Sequence, residues 1–388
     1  MTAAGPRSRA PQSRPSAARR ALIVGTDRDR GALTAVRSLR RAGWEVGIGT
    51  PGGRGVLAAT RAATDRHRVP RPRGDAGEFL DGVRRAVGEG ADHDDSMAAL
   101  CAYRHYVPAP VAHPGADVLA TALDAVGLAE RAARAGLAVP RTVRATDEAL
   151  ADWQGPVVVG SGAHRVPGRA WAGRIQAELF ADAGAAAAQV RRVRAAGADP
   201  VLRAPLRGRP GALIGVQHDG RLHGRVQLVT SRPRPGPDGV PARAQTVPVD
   251  EELAARAETL LRELGWWGLV ELRLGSDDEG TVHLVDLHGR FSDATALAEA
   301  ARPGLSDAWG RLALGDSVPP LPDARTGVRC TRLAGDLRRA LVERRGGLAA
   351  DVADTLRWGR GAQHGVWDPQ DPGPVLHLAT GRFRRRAG

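Results

Sequence analysis

Glu271, Asp286 and His288 are the residues of this 388-residue chain whose types and spacing best suit chemistry. They fall between Gly265 and Phe291, which reads Gly-Trp-Trp-Gly-Leu-Val-Glu-Leu-Arg-Leu, a short acidic turn, then Val-His-Leu-Val-Asp-Leu-His-Gly-Arg-Phe. Two carboxylates held close together repel unless a cation or proton lies between them, and hard oxygen ligands of this kind suit Mg2+ or Mn2+. The alternative is ordinary solvated charge. That reading suits Asp277, Asp278 and Glu279 in the turn, but Glu271 interrupts an otherwise apolar run.

Those three residues need two strands to bring them together. The runs from about Gly268 to Leu274 and Thr281 to Leu287 are too short and too rich in aliphatic and β-branched residues for helices. Asp286 and His288 are two apart, so they share one face while Leu287 points away. An antiparallel hairpin sets the early part of the first strand against the late part of the second, so Glu271 is expected beside Asp286. Upstream, Ala21 to Gly25 reads as a buried strand, followed by a loop to Gly31, a helix through Arg41 and a strand from Trp44 to Ile48. This is the βαβ opening of a doubly wound sheet. Its loop, Gly-Thr-Asp-Arg-Asp-Arg-Gly, lacks Gly-x-Gly-x-x-Gly, which excludes a dinucleotide site. An amphipathic helix is expected over Ala116 to Arg141 and a strand with a small-residue loop over Pro156 to Gly162. A hairpin turns at His218-Asp219-Gly220, a Pro/Gly-rich loop covers Arg232 to Pro241, and Asp250 is a natural N-cap for a helix to Leu264. No strand can be placed in Ala91 to Pro114.

The order Gly-Trp-x-Gly-Leu-Val-Glu, strand, turn, Leu-Val-Asp-x-x-Gly-Arg-Phe resembles the metal-binding end of ATP-grasp enzymes, most closely carboxylate-amine ligases, and the similarity covers most of residues 21 to 375. The resemblance implies an α/β and α+β protein, an ATP-grasp fold with an N-terminal doubly wound α/β (pre-ATP-grasp) domain. The expected division is a disordered basic tail (1–19), the N-terminal domain (20–115), two ATP-grasp lobes (116–320) and a C-terminal extension with a basic tail (321–388). It further implies ATP and Mg2+ or Mn2+ as cofactors, Glu271, Asp286 and His288 as metal ligands, and Arg290 as the phosphate-facing catalytic arginine. Asp286 stands where the family has Glu, one methylene shorter. His288 replaces Asn, and an imidazole favours Mn2+ or a transition metal over Mg2+.

Elsewhere the family's ATP-site pattern is altered. Its two phosphate-binding lysines correspond to Ala125 and to Gly160 or Ser161, and its Gln-Glu-x-x-x-Gly becomes Arg203-Ala204-Pro205-Leu206-Arg207-Gly208. The chain has no Lys and no Asn at all. GC-rich coding explains such a bias, but it would turn a needed Lys into Arg. The expected nucleotide contacts are therefore Gly160, Ser161 and Gly162 with Arg165, Arg203 and Arg232. Arg169, Arg174 and Arg234 are further cations nearby.

The function implied is ligation, in which ATP phosphorylates a small-molecule carboxylate and an amine displaces the acyl phosphate. The second reading is a non-catalytic descendant with a binding or scaffolding role. Two cysteines, Cys101 and Cys330, provide no disulfide framework and fit a reducing cytoplasm. No apolar run reaches the roughly 18 residues that span a membrane, and a homodimer is allowed. The net charge of +13 invites a nucleic-acid reading, but nine arginines lie at the ends, Arg7, Arg9, Arg14, Arg19 and Arg20 and then Arg382, Arg384, Arg385 and Arg386. With no aromatics interleaved among basic residues, no specific nucleic-acid partner is expected. Asp368 and Asp371, beside prolines, read as turn formers without a catalytic role.

Overall fold

The computed structural model describes residues 18–26, 29–53, 55–71, 77–86, 94–162, 177–233 and 241–384. Three sheets organise them. The first is parallel, in the order β1 (Arg20–Val24), β2 (Glu45–Thr50), β3 (Asp65–Arg68). The helix Arg30–Arg41 crosses between β1 and β2, as the sequence pattern requires. Asp29 caps it by accepting a hydrogen bond from the Ala32 amide at 3.2 Å, and its buried stripe is Ala32, Leu33, Ala35, Val36 and Leu39.

Residues 116 to 134 form two helices, Ala116–Leu123 and Ala125–Arg134, rather than the single expected one. Asp124 adopts an extended backbone between them and accepts from the Val126 amide, so it caps the second helix and ends the first. The segment without a placeable strand holds a helix, Asp94–Ala102, and a 3-10 turn, Arg104–Tyr106.

The second sheet has four strands, β4 (Thr142–Arg144), β5 (Val157–Ser161), β6 (Glu178–Phe180) and β7 (Pro200–Arg203), in the antiparallel order β4-β7-β5-β6. Val157, Val159 and Leu202 form a buried core with Ala186 and Val190 of the helix Ala183–Ala195, so one face of this sheet is closed by that helix. The third sheet comprises β8 (Pro210–His218), β9 (Arg221–Pro233), β10 (Pro241–Val247), β11 (Gly268–Ser276), β12 (Val282–His288), β13 (Arg329–Thr331) and β14 (Gln363–His364), in the order β12-β11-β8-β9-β10-β13-β14. Asp250 caps the helix Glu251–Leu264 through the Glu252 and Leu253 amides, and Gly265 ends it in the left-handed conformation.

The C-terminal segment is tied down by charge. Asp371 does more than form a turn. It is buried and accepts hydrogen bonds from Arg37 Nε at 2.9 Å, the Arg61 amide at 2.9 Å and the Thr60 hydroxyl. Arg37 also donates to the Val366 carbonyl. Farther along, Arg243 and Arg339 both bind the fully buried Asp336, and Arg339 reaches Asp351 at 2.7 Å. Charges this deep survive only when each is paired and hydrogen-bonded.

Candidate active site in the cleft between two sheets

The hairpin of β11 and β12 carries the acidic side of the site. Its ladder near the turn pairs Ser276 with Val282 and Leu274 with Leu284. Continued unbroken, that register would set Glu271 opposite Leu287, on the face away from Asp286 and His288. A bulge intervenes: Val285 has no ladder partner, and beyond it Arg273 pairs with Asp286, Leu272 with Leu287 and Glu271 with His288. The extra residue therefore places Glu271, Arg273, Asp286 and His288 on one face. The expectation that Glu271 lies beside Asp286 is corrected by two residues along the same face, since Glu271 pairs with His288 and Asp286 with Arg273.

The polar groups on this face are interlinked. His288 Nε2 lies 2.8 Å from Asp286 Oδ2, the Leu287 amide donates to Asp286 Oδ1 at 2.9 Å, and Arg273 Nη1 is 3.9 Å from Asp286 Oδ2. Buried Glu271 accepts the Ser292 hydroxyl, and Ser292 in turn accepts from the Ala294 amide. Among the described residues no three His, Cys, Asp or Glu side chains gather into a formed metal cluster. Arg290, half-buried just after β12, donates to the Phe291 carbonyl at 3.4 Å.

The four-stranded sheet supplies the opposite wall. Arg203 of β7 donates through Nη1 to the carbonyl of Val285, the bulge residue, at 3.1 Å. A carbonyl left without a ladder partner thus receives a guanidinium from the other lobe. Burial lowers the pKa of Arg203 from its ordinary value; Asp286 opposes that shift and Arg273 adds to it, so all three share one electrostatic environment. Gly160 and Ser161 end β5, and the Gly162 amide donates to the Asp199 carbonyl at 2.6 Å. The Ala125 amide donates to the Gly162 carbonyl at 2.8 Å, so the two places where lysines were expected adjoin.

The N-terminal domain abuts the same site. A Cβ built on Gly31 would lie 2.6 Å from the Ser292 carbonyl oxygen and 2.7 Å from the Phe291 carbonyl carbon. Arg165 lies outside the described residues, as do Arg169, Arg174 and Arg234, and of Arg232 only the backbone, in β9, is described. Sequence reasoning missed Arg273, although alternation from Glu271 would have found it, and Ser292, which had no local signal. A separate cavity of about 690 Å3 opens between β3 and the helix Gly77–Ala86, lined by Arg66, His67, Arg68, Glu78, Asp81 and Arg85 among others. None of the expected site residues lines it.

A parallel N-terminal sheet, a four-stranded antiparallel sheet and a seven-stranded sheet that is antiparallel except for the β13/β14 pair make up the ATP-grasp fold. Solved structures share it across most of their length. An N5-carboxyaminoimidazole ribonucleotide synthetase solved with ADP superimposes with a TM-score of 0.61 at 12% identity, covering 84% of this chain and 85% of the other. The L-amino acid ligase of Bacillus licheniformis gives 0.57 at 15% identity, over 78% and 75%. Biotin carboxylase of Campylobacter jejuni, in a β-γ-ATP complex, gives 0.61 at 13% identity, over 79% and 74%. No family model matches the sequence, and neither does any curated protein. Among the described residues no helix is long and apolar enough to cross a membrane.

Proposed function

We propose that the chain is an ATP-dependent ligase that joins a small-molecule carboxylate to an amine through an acyl phosphate. The observation that carries this reading is the contact between two sheets: Arg203 of the four-stranded sheet is bonded to the β12 bulge, beside a face formed by Glu271, Asp286 and His288. Structures with this fold have been solved with ADP, with MgADP and as a β-γ-ATP complex.

Transfer of a phosphoryl group requires positioning and neutralisation of charge more than a protein nucleophile. Arg203 and Arg290 supply fixed positive charge to a nucleotide's phosphates, and a guanidinium grips phosphate oxygens bidentately. Glu271 is oriented by Ser292, and Asp286 by His288 and the Leu287 amide. The donors on the hairpin fit a divalent cation in type, and their spread over two register positions suits Mg2+ or Mn2+, which take one or two carboxylates and complete their shell with phosphate and water. Glu271 and Asp286 would hold such an ion, with His288 fixing Asp286 in place. When bound, the ion neutralises charge on the transferring phosphoryl group.

The test is incubation of the full chain with ATP, Mg2+ or Mn2+ and a panel of amino acids and other carboxylates and amines, with ADP and phosphate as readout. Turnover reduced by about 100-fold or more in Glu271→Ala is expected. Absence of both turnover and any nucleotide-dependent melting shift with either metal would overturn the proposal.

A further inference from the structure

We infer that Arg144 is the cation that holds the nucleotide's phosphates over the glycine floor of the four-stranded sheet, taking from a neighbouring strand the place of a side chain on β5. This rests on the nucleotide-binding reading above and names a residue that the reading did not include.

The register of the sheet supports it. Arg144 of β4 and Gly160 of β5 both pair with Val201 of β7, one from each side, so all three project to the same face. Thr142, Val158 and Arg203 join them, since Arg203 pairs with both of the other two. The opposite face is the one buried under the helix Ala183–Ala195, so this face is the one turned to the cleft, from which Arg203 reaches Val285. No acid occupies any of these six positions.

The Arg144 side chain lies over the glycines. Its Nη1 is 3.9 Å from the Cβ position of Gly162, two residues beyond Gly160. Gly162 has no room for a side chain, because a Cβ there would sit 2.7 Å from Val201 Cγ2 and 3.2 Å from the Asp199 carbonyl. Among the described residues Gly160 meets only the Ala177 Cβ, at 3.5 Å, yet carries no side chain. The floor is therefore bare backbone with a guanidinium above it. Close backbone approach beside a planar fork of donors suits a phosphate chain.

The guanidinium is also available. Among the described residues it makes one hydrogen bond, to Asp124 Oδ2 at 3.1 Å, has Asp199 Oδ2 at 4.0 Å, and its side chain remains 52% exposed. Most of its five donors remain for a ligand. With Arg203 on the same face, the pair presents two fixed positive charges to a nucleoside diphosphate or triphosphate. Asp124 holds the guanidinium in place in the meantime.

The test is titration calorimetry of the full chain with ADP and, separately, adenosine, in the presence of Mg2+. The expected result is that Arg144→Ala weakens ADP about 10- to 100-fold, the worth of charge-assisted hydrogen bonds to phosphate, while adenosine binding stays unchanged. Arg144→Lys should recover part of the loss. Asp124→Ser, which retains an N-capping hydroxyl, should leave ADP affinity equal or tighter. ADP binding to Arg144→Ala at the wild-type level would overturn the role of Arg144 while leaving nucleotide binding intact. Equal losses for adenosine and ADP would make Arg144 a structural residue and would also overturn it. A wild-type chain that binds neither ligand would sink both this inference and the ligase reading.

Discussion

Gly31→Ala separates local from tertiary control of the site. Helix propensity alone predicts a gain, because replacing Gly by Ala in a helix stabilises by up to about 1 kcal/mol, and Gly31 sits in the first turn of Arg30–Arg41 with no positive φ to object. Packing predicts the opposite. The new Cβ would fall 2.6 Å from the Ser292 carbonyl oxygen and 2.7 Å from both the Ser292 amide nitrogen and the Phe291 carbonyl carbon. All three are backbone atoms, so no side chain can swing aside, and ordinary contact requires a shift approaching 1 Å. Overpacking of this kind costs about 1–3 kcal/mol, and the absence of a flexible neighbour puts it in the upper half. The net expectation is destabilisation by about 1–2 kcal/mol. The displaced segment carries Ser292, the hydroxyl that orients Glu271, and follows directly on Arg290. Nucleotide affinity should therefore fall in the same variant, and a Gly31→Val variant should be worse on both counts. Urea denaturation and ADP titration measure the two effects. A Gly31→Ala protein at least as stable as wild type, with unaltered ADP affinity, would refute the close approach of the N-terminal domain to the site.

Two further predictions concern buried ionisable groups. Burial alone would raise the pKa of Asp371, but hydrogen bonds from Thr60, the Arg61 amide and Arg37 outweigh it and hold the carboxyl below its ordinary value of 3.8. A depressed folded pKa means that its stabilisation is present above the unfolded value and lost as pH falls through the folded one. Asp371→Asn should therefore cost about 2–4 kcal/mol at pH 7 and flatten the loss of stability below about pH 4; an acid limb as steep as that of wild type would count against the assignment. Burial pushes the thiols of Cys101 and Cys330 up to about 11, leaving a thiolate fraction on the order of one in a thousand at pH 8. A disulfide reagent at that pH should label neither within minutes until denaturant is added, and rapid labelling of the native chain would contradict the burial of Cys101 and the partial burial of Cys330.

What the sequence reveals about this fold is what short-range chemistry encodes. The helix after Asp250 was legible because its cap and its apolar period lie within one segment, and so were the strand-helix-strand opening and the β11/β12 hairpin. The break at Asp124 had a local signal as well, an Asp ahead of a fresh helical run, but the continuous apolar period masked it. The bulge at Val285 had none. Its carbonyl accepts from Arg203, 82 residues earlier, so the group that meets the bulge lies on a strand of another sheet. Arg144 escaped notice for a related reason: it becomes a neighbour of Gly160 only once β7 lies between β4 and β5. Asp371 looked like a turn former because its partners, Arg37 and Thr60, are more than 300 positions away. Arg165 and the side chain of Arg232, expected near the nucleotide, fall outside the described residues.

The tie between Arg37 and Asp371 also orders events during synthesis. The helix bearing Arg37 leaves the ribosome before its carboxylate, which is made 334 residues later, a delay of roughly 15–70 s at common translation rates. Throughout that interval the guanidinium has no acid to accompany it inside, and the surface that later receives residues 366–371 stays open to solvent and to chaperones. The domain that carries Arg37 is thus sealed only after the residues around Asp371 have been made.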